Sequence, residues 1–95
     1  MRIIVSSRFV RQYKKLPEKI RKIAKNKEVI FRKDPFAQVL KTHKLKGGLN
    51  DFWAFSITEN IRVIFDFESD GVTRFYSIGN HDIYKKILKE EIIFK

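Results

Sequence analysis

Residues 51–81 read DFWAFSITENIRVIFDFESDGVTRFYSIGNH, and their pattern decides how the chain folds. Three runs rich in aromatic and β-branched residues, 51–58, 61–67 and 72–78, are separated by two short breaks, as strands in a meander are. Only Glu59-Asn60 lies between the first two, and Asn tolerates the positive φ that a two-residue hairpin turn demands. Asp70-Gly71 marks the second turn. A three-stranded antiparallel meander follows. The short first turn places Ile57 opposite Arg62, Phe55 opposite Ile64 and Trp53 opposite Asp66 on one face. Phe52, Ala54, Ser56, Val63, Phe65 and Phe67 then take the other. Both faces are largely apolar, so both need cover. Arg62 stands inside an apolar run and needs an anionic partner. Either a carboxylate such as Glu59 or Asp66 supplies it, or a phosphate binds at the sheet's rim.

Upstream of the meander, residues 2–5 are a short apolar run that reads as a first strand. Ser6-Ser7 can cap a helix, in which Phe9, Val10, Tyr13 and Leu16 share one side and Arg8, Arg11, Lys14 and Lys15 the other. Pro17 suits the first turn of a second helix. Its apolar stripe of Ile20, Ile23, Ala24, Ile30 and Phe31 ends at Asp34-Pro35, and so short a joint folds the two helices into a hairpin. Residues 36–48, FAQVLKTHKLKGG, look irregular and basic. A loop of this kind either holds a phosphate backbone through Lys41, Lys44 and Lys46 or merely connects elements in a lysine-rich chain. Downstream, 79–82 forms a turn, and Ile83, Ile87, Leu88 and Ile92 mark a terminal helix that docks on the domain and frays at Phe94-Lys95.

Ninety-five residues, 43% of them apolar, make one domain spanning 1–95 with a single modest core. No apolar run approaches the roughly 20 residues of a membrane-spanning helix, and residues 1–5 are too short for a secretory signal. With zero Cys there is no disulfide framework and no thiolate metal site, which fits a reduced, cytoplasmic setting. The charge says more. Twenty-one Lys and Arg against eleven Asp and Glu leave +10, an excess that calls for a polyanionic partner such as nucleic acid, an anionic membrane or an acidic protein.

His43 and His81 are the chain's two histidines. One precedes the meander and one follows it, so ordinary connections can bring both near Arg62. Two histidines make a poor metal site and no HxxxH or HExxH spacing occurs, so no metal and no cofactor are expected. General acid–base work suits them better, because imidazole titrates near neutrality. Neither a Ser-His-Asp order nor a GxSxG elbow nor a P-loop is present.

The segments LKTHKLKG at 40–47, Phe52-Trp53, ITENIRV at 57–63 and GNHDIY at 79–84 resemble the RelE/ParE superfamily of bacterial toxins, near its YoeB and YafQ groups. The likeness spans essentially the whole chain. It implies an α+β domain: an N-terminal strand, a helical hairpin, a meander completing a twisted sheet, and a short C-terminal helix. It implies the toxin of a type II toxin–antitoxin module, a metal-independent, ribosome-dependent mRNA endoribonuclease that inhibits translation. A gyrase inhibitor of the ParE kind, or an inactive member, is the alternative. The implied partners are a cognate acidic, partly disordered antitoxin, the ribosome and mRNA, with no membrane. Residue by residue, Arg62 matches the strand arginine placed against the scissile phosphate. His43 falls where YoeB-like toxins carry a general-base glutamate and YafQ-like toxins a histidine. His81 matches a C-terminal catalytic histidine, and Tyr84 an aromatic that packs on a displaced base. Lys41, Lys44, Lys46 and Ser56 are the implied RNA contacts. The chain departs from RelE in carrying Ala54, Phe55 and Ser56 where that toxin has catalytic lysines, and a second YafQ-type histidine is missing, with Ser56 about there.

Overall fold

The computed structural model describes residues 1–47 and 51–85. Strand β1 (Arg2–Val5) leads into helices α1 (Ser7–Lys15) and α2 (Glu18–Lys33). A 3₁₀ turn (Gln38–Leu40) follows, then β2 (His43–Lys44), β3 (Trp53–Ser56), β4 (Arg62–Ser69) and β5 (Val72–Gly79). Residues 82–85 form a helical turn after β5. The remainder of the expected terminal helix, with Ile87, Leu88 and Ile92, lies outside the described residues, as does Gly48. The strands make one sheet in the order β1-β5-β4-β3-β2, with β1 parallel to β5 and the other pairs antiparallel. No helix among the described residues is long and apolar enough to cross a membrane.

Local chemistry sets the helix ends. Ser6 caps α1: its Oγ accepts from the Phe9 N–H at 3.0 Å and donates to the Tyr76 carbonyl at 2.7 Å, tying the helix start to the sheet. Leu16 closes α1, and Pro17, which has no N–H to leave unsatisfied, caps α2. Arg21 Nη1 donates to the carbonyls of Lys14 and Leu16, both at 3.2 Å, satisfying acceptors at the end of α1. Asp34 ends α2 because the residue before a proline disfavours helical ψ.

The hairpin covers one face of the sheet with aromatic side chains. Phe31 of α2 is wholly buried, its ring 4.8 Å from Phe55, 5.0 Å from Phe65 and 5.4 Å from Phe75. Phe9 of α1 packs 5.6 Å from Phe75. Gln12 adds a polar stitch, its Oε1 accepting from Ser77 Oγ (2.8 Å) and the Ile78 N–H (3.0 Å). Those bonds lie beside an irregularity in the β4–β5 ladder, where Ile64 faces Ser77 but Phe65 faces Phe75. Helix α1 thus supplies an acceptor to a backbone N–H beside the bulge.

The expected register is off by one residue. Ser56 faces Arg62, Phe55 faces Val63 and Ala54 faces Ile64. The cause is the turn. Thr58 Oγ1 accepts from the N–H groups of Asn60 (3.3 Å) and Ile61 (3.1 Å), while the Ile57 N–H donates to the Ile61 carbonyl at 2.8 Å. These bonds close a three-residue loop, 58–60, in place of the two-residue turn, and Asn60 keeps negative φ. A one-residue slip exchanges the two faces of a strand relative to its partner. Trp53 and Phe55 therefore share a face with Val63 and Phe65, whereas Arg62 stands on the opposite face beside Ser56. The second turn is as expected: Ser69 faces Val72 across Asp70-Gly71, with Gly71 at φ 73°. Segment 36–48 is not irregular throughout, since Gln38–Leu40 turns once and His43–Lys44 adds a fifth strand against β3.

Candidate active site

The face opposite the hairpin carries the titratable groups. Arg62 begins β4, opposite Ser56 on β3 and Gly79 on β5. His43 on β2 is paired with Ala54, which lies two residues from Ser56 and so on the same face. After β5 the chain turns sharply. Asn80 Oδ1 accepts from the Asp82 N–H at 3.0 Å, and the Ile83 and Tyr84 N–H groups donate to the carbonyls of Asn80 and His81. This capped turn returns His81 and Tyr84 over the sheet. Together Lys41, His43, Leu45, Ser56, Arg62, His81 and Tyr84 line an open depression of about 340 Å³.

Arg62 is half-buried, and its Nη1 donates to Ser56 Oγ at 3.3 Å. Among the described residues it makes no ion pair, so neither Glu59 nor Asp66 neutralises it. Asp66 instead accepts from the Tyr76 hydroxyl at 3.4 Å, farther along the sheet. Most of the guanidinium's N–H groups thus remain for an external anion.

His43 is exposed and its Nδ1 lies 3.0 Å from the Lys41 carbonyl oxygen. A carbonyl only accepts, so Nδ1 carries the hydrogen, and in the neutral ring Nε2 keeps its lone pair. The carbonyl is held there by an unusual backbone: Lys41 has φ 53° and is the one non-glycine residue with positive φ among those described. His81 is also exposed, its ring 5.7 Å from that of Tyr84. Burial pushes the Tyr84 hydroxyl above the usual phenol range, and the Arg62 charge pulls partly against it. Tyr84 is therefore a neutral phenol near neutral pH. No three His, Asp or Glu side chains among the described residues converge as metal ligands would.

The structure brings together six of the eight site residues expected from the sequence: His43, Arg62, His81, Tyr84, Lys41 and Ser56. Lys44 does not line the depression. It follows His43 on β2, so it alternates to the opposite face, where it is paired with Trp53. Lys46 is exposed beyond the strand, also outside the depression. One residue that shapes the site was legible in the sequence only as part of the 79–82 turn and the 79–84 likeness, not as a steric constraint. A Cβ on Gly79 would stand 2.8 Å from Ile83 Cγ2, closer than the packed, buried isoleucine allows. Only glycine lets the turn carrying His81 and Tyr84 close on the end of β5.

No protein-family model matches the chain, and no curated protein matches it in sequence. Solved structures do resemble it. A YoeB/ParE toxin from Agrobacterium tumefaciens superposes with TM-score 0.72 at 18% identity, over 85% of this chain and 99% of that one. YafQ from E. coli strain BL21(DE3) gives 0.69 at 19% identity, over 88% and 98%. The toxin-antitoxin complex RelBE2 from Mycobacterium tuberculosis gives 0.70 at 12% identity, over 84% and 96%. This chain therefore has the RelE/ParE-type fold, with the YoeB and YafQ arrangement of hairpin and sheet.

Proposed function

We propose that the chain is the toxin of a toxin–antitoxin pair and acts as a ribosome-dependent endoribonuclease of mRNA. The observation that carries this reading is Arg62: a half-buried guanidinium without an ion-pair partner among the described residues, sharing one depression with His43 and His81. The likeness of the whole fold to proteins described as toxins, one of them in complex with an antitoxin, supports the biological half.

RNA supplies its own nucleophile. Nε2 of His43 takes the proton of a ribose 2′-hydroxyl, and the 2′-oxygen attacks the adjacent phosphorus. Arg62 donates two hydrogen bonds to the non-bridging oxygens as charge gathers on the five-coordinate phosphorus. The bond from phosphorus to the 5′-oxygen then breaks, and His81 in its protonated form gives that oxygen a hydrogen. The products are a 2′,3′-cyclic phosphate and a 5′-hydroxyl. Tyr84 offers a neutral ring on which a base can stack. The +10 charge provides docking on ribosomal RNA, where phosphate contacts dominate affinity, and suits an acidic antitoxin segment that folds on binding.

The test is induction of the chain without and with its neighbouring acidic partner, followed by mapping of transcript ends. The expected result is growth arrest relieved by the partner, early collapse of amino-acid incorporation, and cuts within reading frames that leave cyclic phosphates. Early DNA breaks with intact mRNA would overturn the reading in favour of gyrase.

A further inference from the structure

A second depression, about 400 Å³, shares Lys41, Ser56 and Arg62 with the first but excludes both histidines. Its remaining wall comes from Lys27 of α2, Val39, Ile57 and the Thr58-Glu59 end of the β3–β4 loop. Arg62 thus stands between two hollows, only one of which holds the groups suited to chemistry.

The second hollow has the donors of an anion site. Lys27 is half-buried and makes no ion pair among the described residues, whereas the carboxylates of α2 are already taken: Glu18 by Lys22 and Glu28 by Arg32. Thr58 accepts two backbone N–H groups through Oγ1, so its own O–H hydrogen is left to donate, with no acceptor among the described residues. Lys41, held in the left-handed region, contributes to both hollows. Against Lys27, Lys41 and Arg62 stands one carboxylate, Glu59, which is exposed.

We infer that this second hollow binds the phosphodiester next to the scissile one in a single-stranded RNA. The inference rests on Arg62 being the ligand of the scissile phosphate. The strand then passes from the histidine side, over Arg62, toward α2. Lys27 supplies charge and Thr58 a hydroxyl donor. Single-stranded RNA fits better than an acidic protein segment, because adjacent hollows sharing one guanidinium match successive phosphates on one backbone.

The test is equilibrium binding of the full chain to 2′-O-methyl uridine oligonucleotides, which cannot be cut, carrying either one or two internucleotide phosphates. Across a salt series, the second phosphate should steepen the log–log slope of affinity by about 0.7 in the wild type. Lys27→Ala should abolish that increment while leaving the one-phosphate oligonucleotide and the melting temperature unchanged. Lys25→Ala, an exposed lysine on the same helix, should leave the increment intact. Glu59→Gln should tighten the two-phosphate oligonucleotide more than the one-phosphate one, a gain that misfolding cannot mimic. Equal slopes in the wild type, or loss of the increment in Lys25→Ala as well, would overturn the site. So would displacement of the longer oligonucleotide by a short polyglutamate peptide of equal charge at equal concentration. Because binding an uncleavable RNA requires no catalysis, failure of ribosome-bound cleavage would tell against the enzymatic reading without altering these slopes.

Discussion

On the hairpin side of the sheet, Phe31, Phe55, Phe65 and Phe75 pack within 4.8–6.3 Å of one another and every one is buried. On the other side, Arg62 keeps one long hydrogen bond, Asp66 Oδ1 is buried without a partner, and Lys41 sits in a backbone region that side chains disfavour. The same strands build both faces, residue by alternate residue. The packed face gathers the apolar area that holds the fold together. The open face spends part of that stability on groups left incompletely satisfied, which is where binding and catalytic groups concentrate. Substitutions on the two faces should therefore fail in opposite ways.

The largest effect is expected on the packed face. Phe31→Ala removes the ring that three others surround and should destabilise the fold by about 3–5 kcal/mol. For a domain this small the melting temperature would drop by roughly 12 °C or more. Protein kept folded in the cold should still cut ribosome-bound mRNA at the wild-type rate. A cold, folded variant that has lost cleavage would show that the two faces are not separable.

Arg62→Ala should do the converse. With no ion pair to break among the described residues, the fold should melt at the wild-type temperature or slightly above. Cleavage in single turnover should fall about 100-fold or more, the scale of losing one transition-state donor. Arg62→Lys should restore little, since an ammonium cannot make the two-pronged contact. Arg62→Ala also removes the charge that restrains Tyr84, so the Tyr84 hydroxyl should titrate still higher in an ultraviolet pH titration. Early melting with wild-type cleavage would return Arg62 to a structural role.

How far the comparison could be foreseen varies along the chain. Signals confined to a few neighbours were legible: Ser6 as a cap, Pro17 at a helix start, Asp34-Pro35 at its end, Asp70-Gly71 as a turn. The face of Arg62 was not, because it hangs on a side-chain hydroxyl. Thr58 draws in two backbone N–H groups and lengthens the loop by one residue, and that inverts the face. Strand β2 was hidden because His43-Lys44 is too short to show alternation. Composition and spacing alone did not single out His43, Arg62, His81 and Tyr84 together; the family likeness did, and the structure then places all four in one depression. Gly79 was legible only as the start of a turn, since its steric constraint comes from Ile83 across that turn.

Gly79 offers a way to separate position from identity on the open face. Gly79→Ala keeps every candidate catalytic side chain but forces Ile83 away from β5, and with it His81 and Tyr84. Displacement of this order costs up to about 100-fold in rate. Loss of cleavage should come with altered signals for the His81 and Tyr84 rings in NMR spectra, while His43 and the Phe31 cluster remain unperturbed. Full activity would mean that the turn does not set the geometry.

The smallest effect concerns Asp66, the open face's unsatisfied group. Burial raises its carboxyl above the usual range, and the nearby Glu68 adds to that, against an opposing pull from Arg74. A carboxyl whose folded value lies above its unfolded value binds protons more tightly in the folded state. Its contribution to stability is present in acid and is lost as the pH rises through the folded value. At neutral pH the ionised Asp66 is thus a small burden on the fold. Asp66→Asn should raise the melting temperature slightly at pH 7 and leave it unchanged below the unfolded value, in melts taken across that range. The amide keeps the shape and can still accept from the Tyr76 hydroxyl, so packing against Tyr76 is preserved. Cleavage should be unaffected, because Asp66 does not line the depression at Arg62. A variant that melts lower at pH 7 would mean the ionised carboxylate is held favourably by Arg74 after all, and the open face would be better satisfied than its orphaned oxygen indicates.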